Sequence, residues 1–187
     1  MPEKKKNFKR PLEETVILAM LAALYVVLNR FVSISAWNVN YSFAFVATVF
    51  ASCMFGIHGG AIVGGLGDLV GAILFPKGTY FPGFTLSAMI IGAIYGYAFK
   101  HVIPSIKKKT PVFDVLSISV AAVVSQLISS LLLNSLWISI LYNPTFKATF
   151  ISRIPQFAVM TVLQIVISPI IYTLSKKVEK ALRNVKF

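Results

Sequence analysis

The chain of 187 residues is 57% hydrophobic and only 13% charged, and its 18 Lys and Arg against six Asp and Glu give a formal net charge of +12. That balance exceeds what one soluble core can bury and makes the chain read as a membrane protein. Its basic residues gather between long apolar runs, which makes the charge a record of membrane topology and argues against a nucleic-acid partner; the single cysteine, Cys53, excludes a disulfide framework and a cysteine metal site.

A bilayer core of roughly 30 Å takes about 20 helical residues. The chain offers six segments near that length, at about 15–34, 41–57, 59–76, 82–99, 112–142 and 150–174. This predicts an all-α, polytopic membrane protein, a six-transmembrane-helix bundle forming a single domain over residues 1–187.

The first span follows Lys4, Lys5, Lys6, Lys9 and Arg10. A basic head before the apolar run from Val16 to Leu28 also resembles a signal peptide, with Ser33-Ile34-Ser35 as a candidate cleavage site; five further spans favour an uncleaved helix. Ala19 and Ala23 form a small-xxx-small face that suits packing within the bundle or against another membrane protein. Arg30 marks the outer end, and the loop Trp37-Asn38-Val39-Asn40-Tyr41 carries aromatic and amide groups suited to covering a site.

Gly56-Ile57-His58-Gly59 reads as a tight turn that makes the second and third spans an antiparallel hairpin. Gly60, Gly64, Gly67 and Gly71 share a narrow face of the third span, and Ala88, Gly92 and Gly96 line up on the fourth, so these backbones are expected to touch. Asp68 stands beside that line near mid-membrane. One acid with no intramembrane Lys, Arg or His makes a thin proton relay, so a structural role is expected, with the carboxylate accepting from backbone N–H groups of a neighbouring helix.

After the loop Phe75-Pro76-Lys77-Gly78-Thr79, the fourth span opens on Tyr80-Phe81-Pro82-Gly83-Phe84-Thr85-Leu86-Ser87-Ala88. Pro82 suits a first helical position, and Gly83 lets a backbone or a ligand come close. An aromatic belt explains any one of Tyr80, Phe81 and Phe84. The hydroxyls of Thr85 and Ser87 behind them fit a planar heteroaromatic ligand better.

The fifth span carries Gln126, Ser130, Asn134 and Trp137 on one side, and the sixth carries Arg153, Phe157, Met160 and Gln164. Polar side chains at membrane depth normally face the bundle or a cavity. For Gln126 and Gln164, interhelical hydrogen bonding is as good an explanation as a ligand. In the outer half, Arg30, Lys77, Lys147 and Arg153 have no accompanying acid. An anionic ligand arriving from outside is one reading of this excess; the other is that Arg30 and Arg153 snorkel to lipid phosphates.

Lys100, Lys107, Lys108 and Lys109 follow the fourth span, and Lys176, Lys177, Lys180, Arg183 and Lys186 follow the sixth. With the N-terminal cluster they predict a multi-pass protein of the cell (plasma) membrane with both termini cytoplasmic. No phosphate loop is present, His58 and His101 lie far apart, and no nucleophile, base and acid converge. No catalytic residue, metal site or cofactor is expected, and the chain is not read as an enzyme.

This combination resembles the S components of energy-coupling factor (ECF) vitamin transporters, and residues 80–88, continuing as Met89-Ile90-Ile91-Gly92-Ala93-Ile94-Tyr95-Gly96, resemble the folate-specific members. The resemblance implies a subunit that captures folate outside, docks through Ala19 and Ala23 on a membrane T component driven by two cytoplasmic ATPases, and topples to deliver its cargo. The family motif covers only positions 80–88. Chemistry and depth then place Arg30 and Arg153 on the folate carboxylates, Trp37, Tyr80, Phe81 and Phe84 around its rings, and Asn40, Thr85, Gln126 and Asn134 among the hydrogen-bonding groups. No carboxylate of the outer half stands ready for the donors of the pterin. Membrane lipid is a further expected partner of the basic segments. The competing readings are an S component for riboflavin, thiamine or a hydroxymethylpyrimidine, a stand-alone proton-coupled carrier using Asp68, and a purely structural subunit.

Overall fold

The computed structural model describes residues 11–36, 39–105 and 111–184. Helix α1 (Pro11–Arg30) carries Glu13 and Glu14 in its first turn and Arg30 in its last, charges that oppose the helix dipole at each end. Serines close it: Ser33 Oγ donates to the Asn29 carbonyl at 2.6 Å, and Ser42 Oγ to that of Leu28 at 3.4 Å. Both serines belong to a hairpin of β1 (Ser33–Ala36) and β2 (Val39–Ser42), with Ser33 opposite Ser42 and Ile34 opposite Tyr41. The first span therefore stops short of the expected residue 34 and the second begins later than residue 41, because the intervening backbone pairs as strands.

Helix α2 (Phe45–Leu74) is interrupted at Gly56, whose φ of 73° and ψ of −149° suit only glycine. There the chain turns back on itself. A Cβ added to Gly60 would lie 2.0 Å from Ser52 Oγ, and one on Gly59 would lie 3.0 Å from the Ala51 carbonyl oxygen; in a straight helix such pairs would be about 12 Å apart. The two halves lie side by side, and Phe45 and Ala72 come to the same end of the molecule, against one cavity. Five helices among the described residues are long and apolar enough to cross a membrane, against the six segments read from the sequence. The difference arises at Gly56, since the second and third expected segments share one 30-residue element.

Helix α3 (Pro82–Tyr97) starts with Pro82 in its first turn and continues through a π-helical turn, Ala98–Val102, into the short α4 (Ile103–Ser105). Its seam with the second half of α2 is backbone against backbone, as the glycine spacing predicts. A Cβ on Gly92 would sit 2.1 Å from the Gly60 oxygen, and one on Gly64 would sit 2.5 Å from that of Ala88. Ser52 Oγ adds a hydrogen bond to the Gly92 carbonyl at 3.0 Å.

Helix α5 (Pro111–Ser125), a π-helical stretch Gln126–Leu133 and α6 (Asn134–Tyr142) follow one another without a break. Asn143, in the left-handed region at φ 57°, ends that rod, and α7 (Phe146–Asn184) extends beyond both ends of the expected sixth span. The main core joins α2, α3, α5 and α7 around fully buried Tyr95, Val49 and Ile118, with Phe99 stacked on both Tyr95 and Tyr172. Helix α1 is peripheral, packing on α2 through Tyr25 against Ala47, Ala51 and Val63 while only 17% of its apolar window is buried.

Candidate functional site

A cavity of about 980 Å³ opens where α1 ends, between the β-hairpin, loop 75–81 and the α6–α7 turn. Every long helix contributes to its wall, because each has its polar face at this depth. Tyr25, Asn29 and Arg30 come from α1, Asn40 and Ser42 from β2, and Phe45, Thr48 and Asp68 from the two halves of α2. Loop 75–81 and α3 supply Lys77, Tyr80, Phe81, Phe84 and Ser87, while Arg153, Gln156, Met160 and Gln164 descend along α7 to the floor.

The π-helical stretch explains how the fifth rod keeps a polar face turned inward. Gln126, Ser130, Asn134 and Ile138 all line the cavity at a spacing of four. In an α-helix of 100° per residue each such step drifts about 40° past a full turn; the wider π turn, with its i→i+5 bonding, cancels part of the drift. Trp137 thereby leaves the wall, contrary to the expected stripe, and its Nε1 donates to Ser87 Oγ at 3.0 Å. Its ring lies 5.6 Å from that of Phe81, and a Cβ on Gly83 would strike it at 2.5 Å, so Gly83 accommodates an indole. Phe81 and Phe84 meet edge to face at 6.2 Å.

Asp68 accepts a hydrogen bond from Thr85 Oγ1 at 2.8 Å, and Tyr80 Oη lies 3.3 Å from the same hydroxyl. This corrects the expectation of a backbone partner for Asp68 and of an outer half lacking a carboxylate, since Asp68 lines the cavity. Thr85 is absent from the wall; its short side chain points back to Asp68.

Lys77 arches from the loop over the end of α1, donating to the Asn29 carbonyl at 2.9 Å and to Ser33 Oγ. Partial burial and the positive charge of Arg30 push its ammonium below the usual lysine range. The β-hairpin is tied on both sides: Asn40 Nδ2 donates to Asn29 Oδ1 at 3.2 Å, and Gln156 Nε2 donates to the Asn40 carbonyl at 2.8 Å. At the floor Gln164, 1% exposed, accepts from Tyr95 Oη at 3.0 Å.

Of the residues singled out from sequence, Arg30, Asn40, Tyr80, Phe81, Phe84, Gln126, Asn134 and Arg153 converge on this cavity. Trp37 lies outside the described residues. Ala19 and Ala23 are exposed on α1, away from the wall. Asn29 and Gln156 were not anticipated; Gln156 stands one turn beyond Arg153, which was the available signal. Gln126 Oε1, Asn134 Oδ1, Gln156 Oε1 and Arg30 Nε are buried without a hydrogen-bond partner among the described residues. Buried polar atoms left so cost about 1–3 kcal/mol each, which suits a cavity whose contents are polar. Among the described residues no three His, Cys, Asp or Glu side chains group as metal ligands.

Comparison with known proteins adds the relatives. A family model described as "ECF-type riboflavin transporter, S component" matches residues 10–177. The chain is similar to the folate transporter FolT of Clostridium novyi (strain NT), 32% identical over 145 residues, 78% of this chain and 79% of that protein. It is also similar to FolT of Leuconostoc mesenteroides subsp. mesenteroides, 34% identical over 159 residues, 82% and 80% of the two chains. A crystal structure of FolT bound with folic acid superposes with a TM-score of 0.74 at 28% identity, covering 89% of this chain and 94% of that one. The S component of a bacterial ECF transporter shares the fold at a TM-score of 0.63 and 19% identity, covering 94% and 99%.

Proposed function

Because the chain belongs to the S components of ECF-type transporters, membrane subunits that bind substrate and are not enzymes, we propose that it is a high-affinity folate-binding subunit. The observation that carries this reading is a single cavity in which three cations, a carboxylate and a cluster of aromatic rings meet, in a chain similar to FolT. Folate has the matching parts: a planar pterin with hydrogen-bond donors, an aromatic linker and a glutamate tail with two carboxylates. A volume of about 980 Å³ is at the upper end of small-molecule sites, enough for a ligand of that length.

In this reading Arg30, Arg153 and Lys77 hold the carboxylates, and Tyr80, Phe81 and Phe84 flank the rings. Asn40, Gln126 and Asn134 supply hydrogen bonds, and Trp37 is assigned to the rings on its sequence position alone. Asp68 accepts from the amino and ring N–H donors of the pterin, with Thr85 acting through it. Folate is cargo, and no resident cofactor or metal is required.

The single domain of residues 1–187 crosses the membrane six times, the two halves of α2 each making one pass about Gly56, which brings both termini to the cytoplasmic side. The exposed face of α1 at Ala19 and Ala23 docks on the T component, two cytoplasmic ATPases drive the complex, and the S component topples to release folate inward. The peripheral position of α1 supports this assignment.

Riboflavin is the specific competitor, since it appears in the description of the matching family model. Tryptophan fluorescence of detergent-purified protein, titrated with folate, riboflavin and thiamine, separates the ligands. Saturable quenching by folate alone is expected, with binding roughly 10-fold or more weaker in Arg153→Ala, the loss of one hydrogen bond to a charged group. Quenching by riboflavin with none by folate overturns the substrate. Uptake into liposomes by this chain alone, abolished by Asp68→Asn, overturns the subunit mechanism in favour of a proton-coupled carrier.

A further inference from the structure

At the basic end of the molecule, opposite the mouth of the cavity, a second cleft of about 380 Å³ separates α5 from α7. Its floor is apolar, with Val115 and Ile118 from α5 facing Pro169 and Tyr172 from α7. Its rim is cationic. Lys176, Lys177 and Lys180 line it against a single carboxylate, Asp114. Lys176 is already engaged: its Nζ lies 3.8 Å from Asp114 and 3.9 Å from the centre of the Tyr172 ring. Lys177 and Lys180 are exposed and form no ion pair among the described residues.

A membrane-spanning helix pair normally presents either lipid-facing apolar surface or a packed seam, and this groove is neither. An apolar slot running into a ring of ammonium groups at the end of a span is complementary to one kind of molecule, an anionic glycerophospholipid. We propose that the cleft between α5 and α7 is a binding site for such a lipid, whose phosphate is held by Lys177 and Lys180 and whose first methylenes lie on Val115 and Pro169. Lys176, fixed by Asp114 and Tyr172, closes the inner side of the headgroup and offsets the Asp114 charge that would otherwise repel it. The site is independent of the folate reading, since it shares no residue with the large cavity.

Native mass spectrometry tests it on the full chain in detergent, with added phosphatidylglycerol or phosphatidylcholine of identical acyl chains. One phosphatidylglycerol is expected to be retained in preference to phosphatidylcholine. Lys177→Ala/Lys180→Ala is expected to weaken that binding roughly thirtyfold, from the usual contribution of two lysines near an anionic headgroup. Thr173→Trp, which fills the cleft without changing its charge, is expected to do the same. Both substitutions lie at exposed positions, and unchanged circular dichroism checks that the variants fold. Equal retention of the two lipids, a double variant that binds like the parent, or an equal loss in Lys100→Ala, which does not line the cleft, overturns the proposal, the last by making net charge sufficient.

Discussion

Asp68 and Thr85 form the pair through which α2 and α3 present a carboxylate to the cavity. Asp68→Asn keeps the shape and removes the charge, so folate affinity is expected to fall by about tenfold in a fluorescence titration, while Thr85→Val loses only a few-fold because it frees the carboxylate without removing it. An unchanged affinity in Asp68→Asn would leave the acid with a packing role alone. Lys77 gives a pH signature. Its ammonium titrates below the lysine reference of 10.5, so the unfolded chain binds more protons between the two values, and stability gains from this group as pH rises through that window. A bound carboxylate acts oppositely, raising the Lys77 pKa, so its contribution to affinity is complete below the ligand-free value and is lost as pH rises through the bound one. The affinity difference between the parent and Lys77→Met should therefore shrink in alkaline buffer, and a difference independent of pH would refute a charge contact. The outer cations and aromatic rings were legible because their side chains are rare in apolar spans. Asp68 was visible but its partner was not, since that partner is a side chain seventeen residues away that only the α2–α3 packing brings near.

Among the elements, the turn at Gly56 and the π-helical stretch behave differently under substitution. Gly56→Ala places a Cβ on a backbone at φ 73° and 3.1 Å from Lys100 Cδ, and about 1–3 kcal/mol of destabilisation is expected, read as a lower thermal midpoint in detergent. The same change at exposed Gly78, where a Cβ would meet only the Tyr142 hydroxyl at an ordinary 3.6 Å, serves as the control and should have little effect. The turn was readable from Gly56 and Gly59, and the α2–α3 seam from its glycine spacing. The π stretch was not readable: Gln126–Leu133 is apolar and hydroxyl-rich in a way that fits an α-helix equally well, and only hydrogen bonding to the fifth residue sets it apart. That register change is why Trp137 leaves the expected stripe and Ile138 enters. The β-hairpin was hidden for a related reason, because four-residue strands supply too few alternations to compete with the apolar signal on either side.

On the scale of the whole molecule, the cavity and the exposed face of α1 are separate surfaces, and variants can divide their roles. Ala19→Trp/Ala23→Trp places two bulky rings on exposed positions of a helix that contributes little to the core. Folate binding by the purified chain is expected to stay within about twofold of the parent while uptake in the assembled transporter falls by at least about tenfold, and equal loss of both would tie α1 to the pocket instead. Helix order and the end at which the site opens were legible because hydropathy and the placement of Lys and Arg register membrane position directly. Which polar face each helix turns inward depended on packing, and sequence periodicity approximated it without fixing it.

The contact between Gly60 and Gly92 has a mechanical meaning. Helices separated by side chains can slide as those side chains change rotamer, but a seam of backbone on backbone holds nothing that can rearrange. The second half of α2 and α3 therefore act as one stiff plate. The β-hairpin across the cavity is fastened differently, by hydrogen bonds from Asn40 to Asn29, from Gln156 to Asn40 and from Lys77 to Ser33, each of which water can replace.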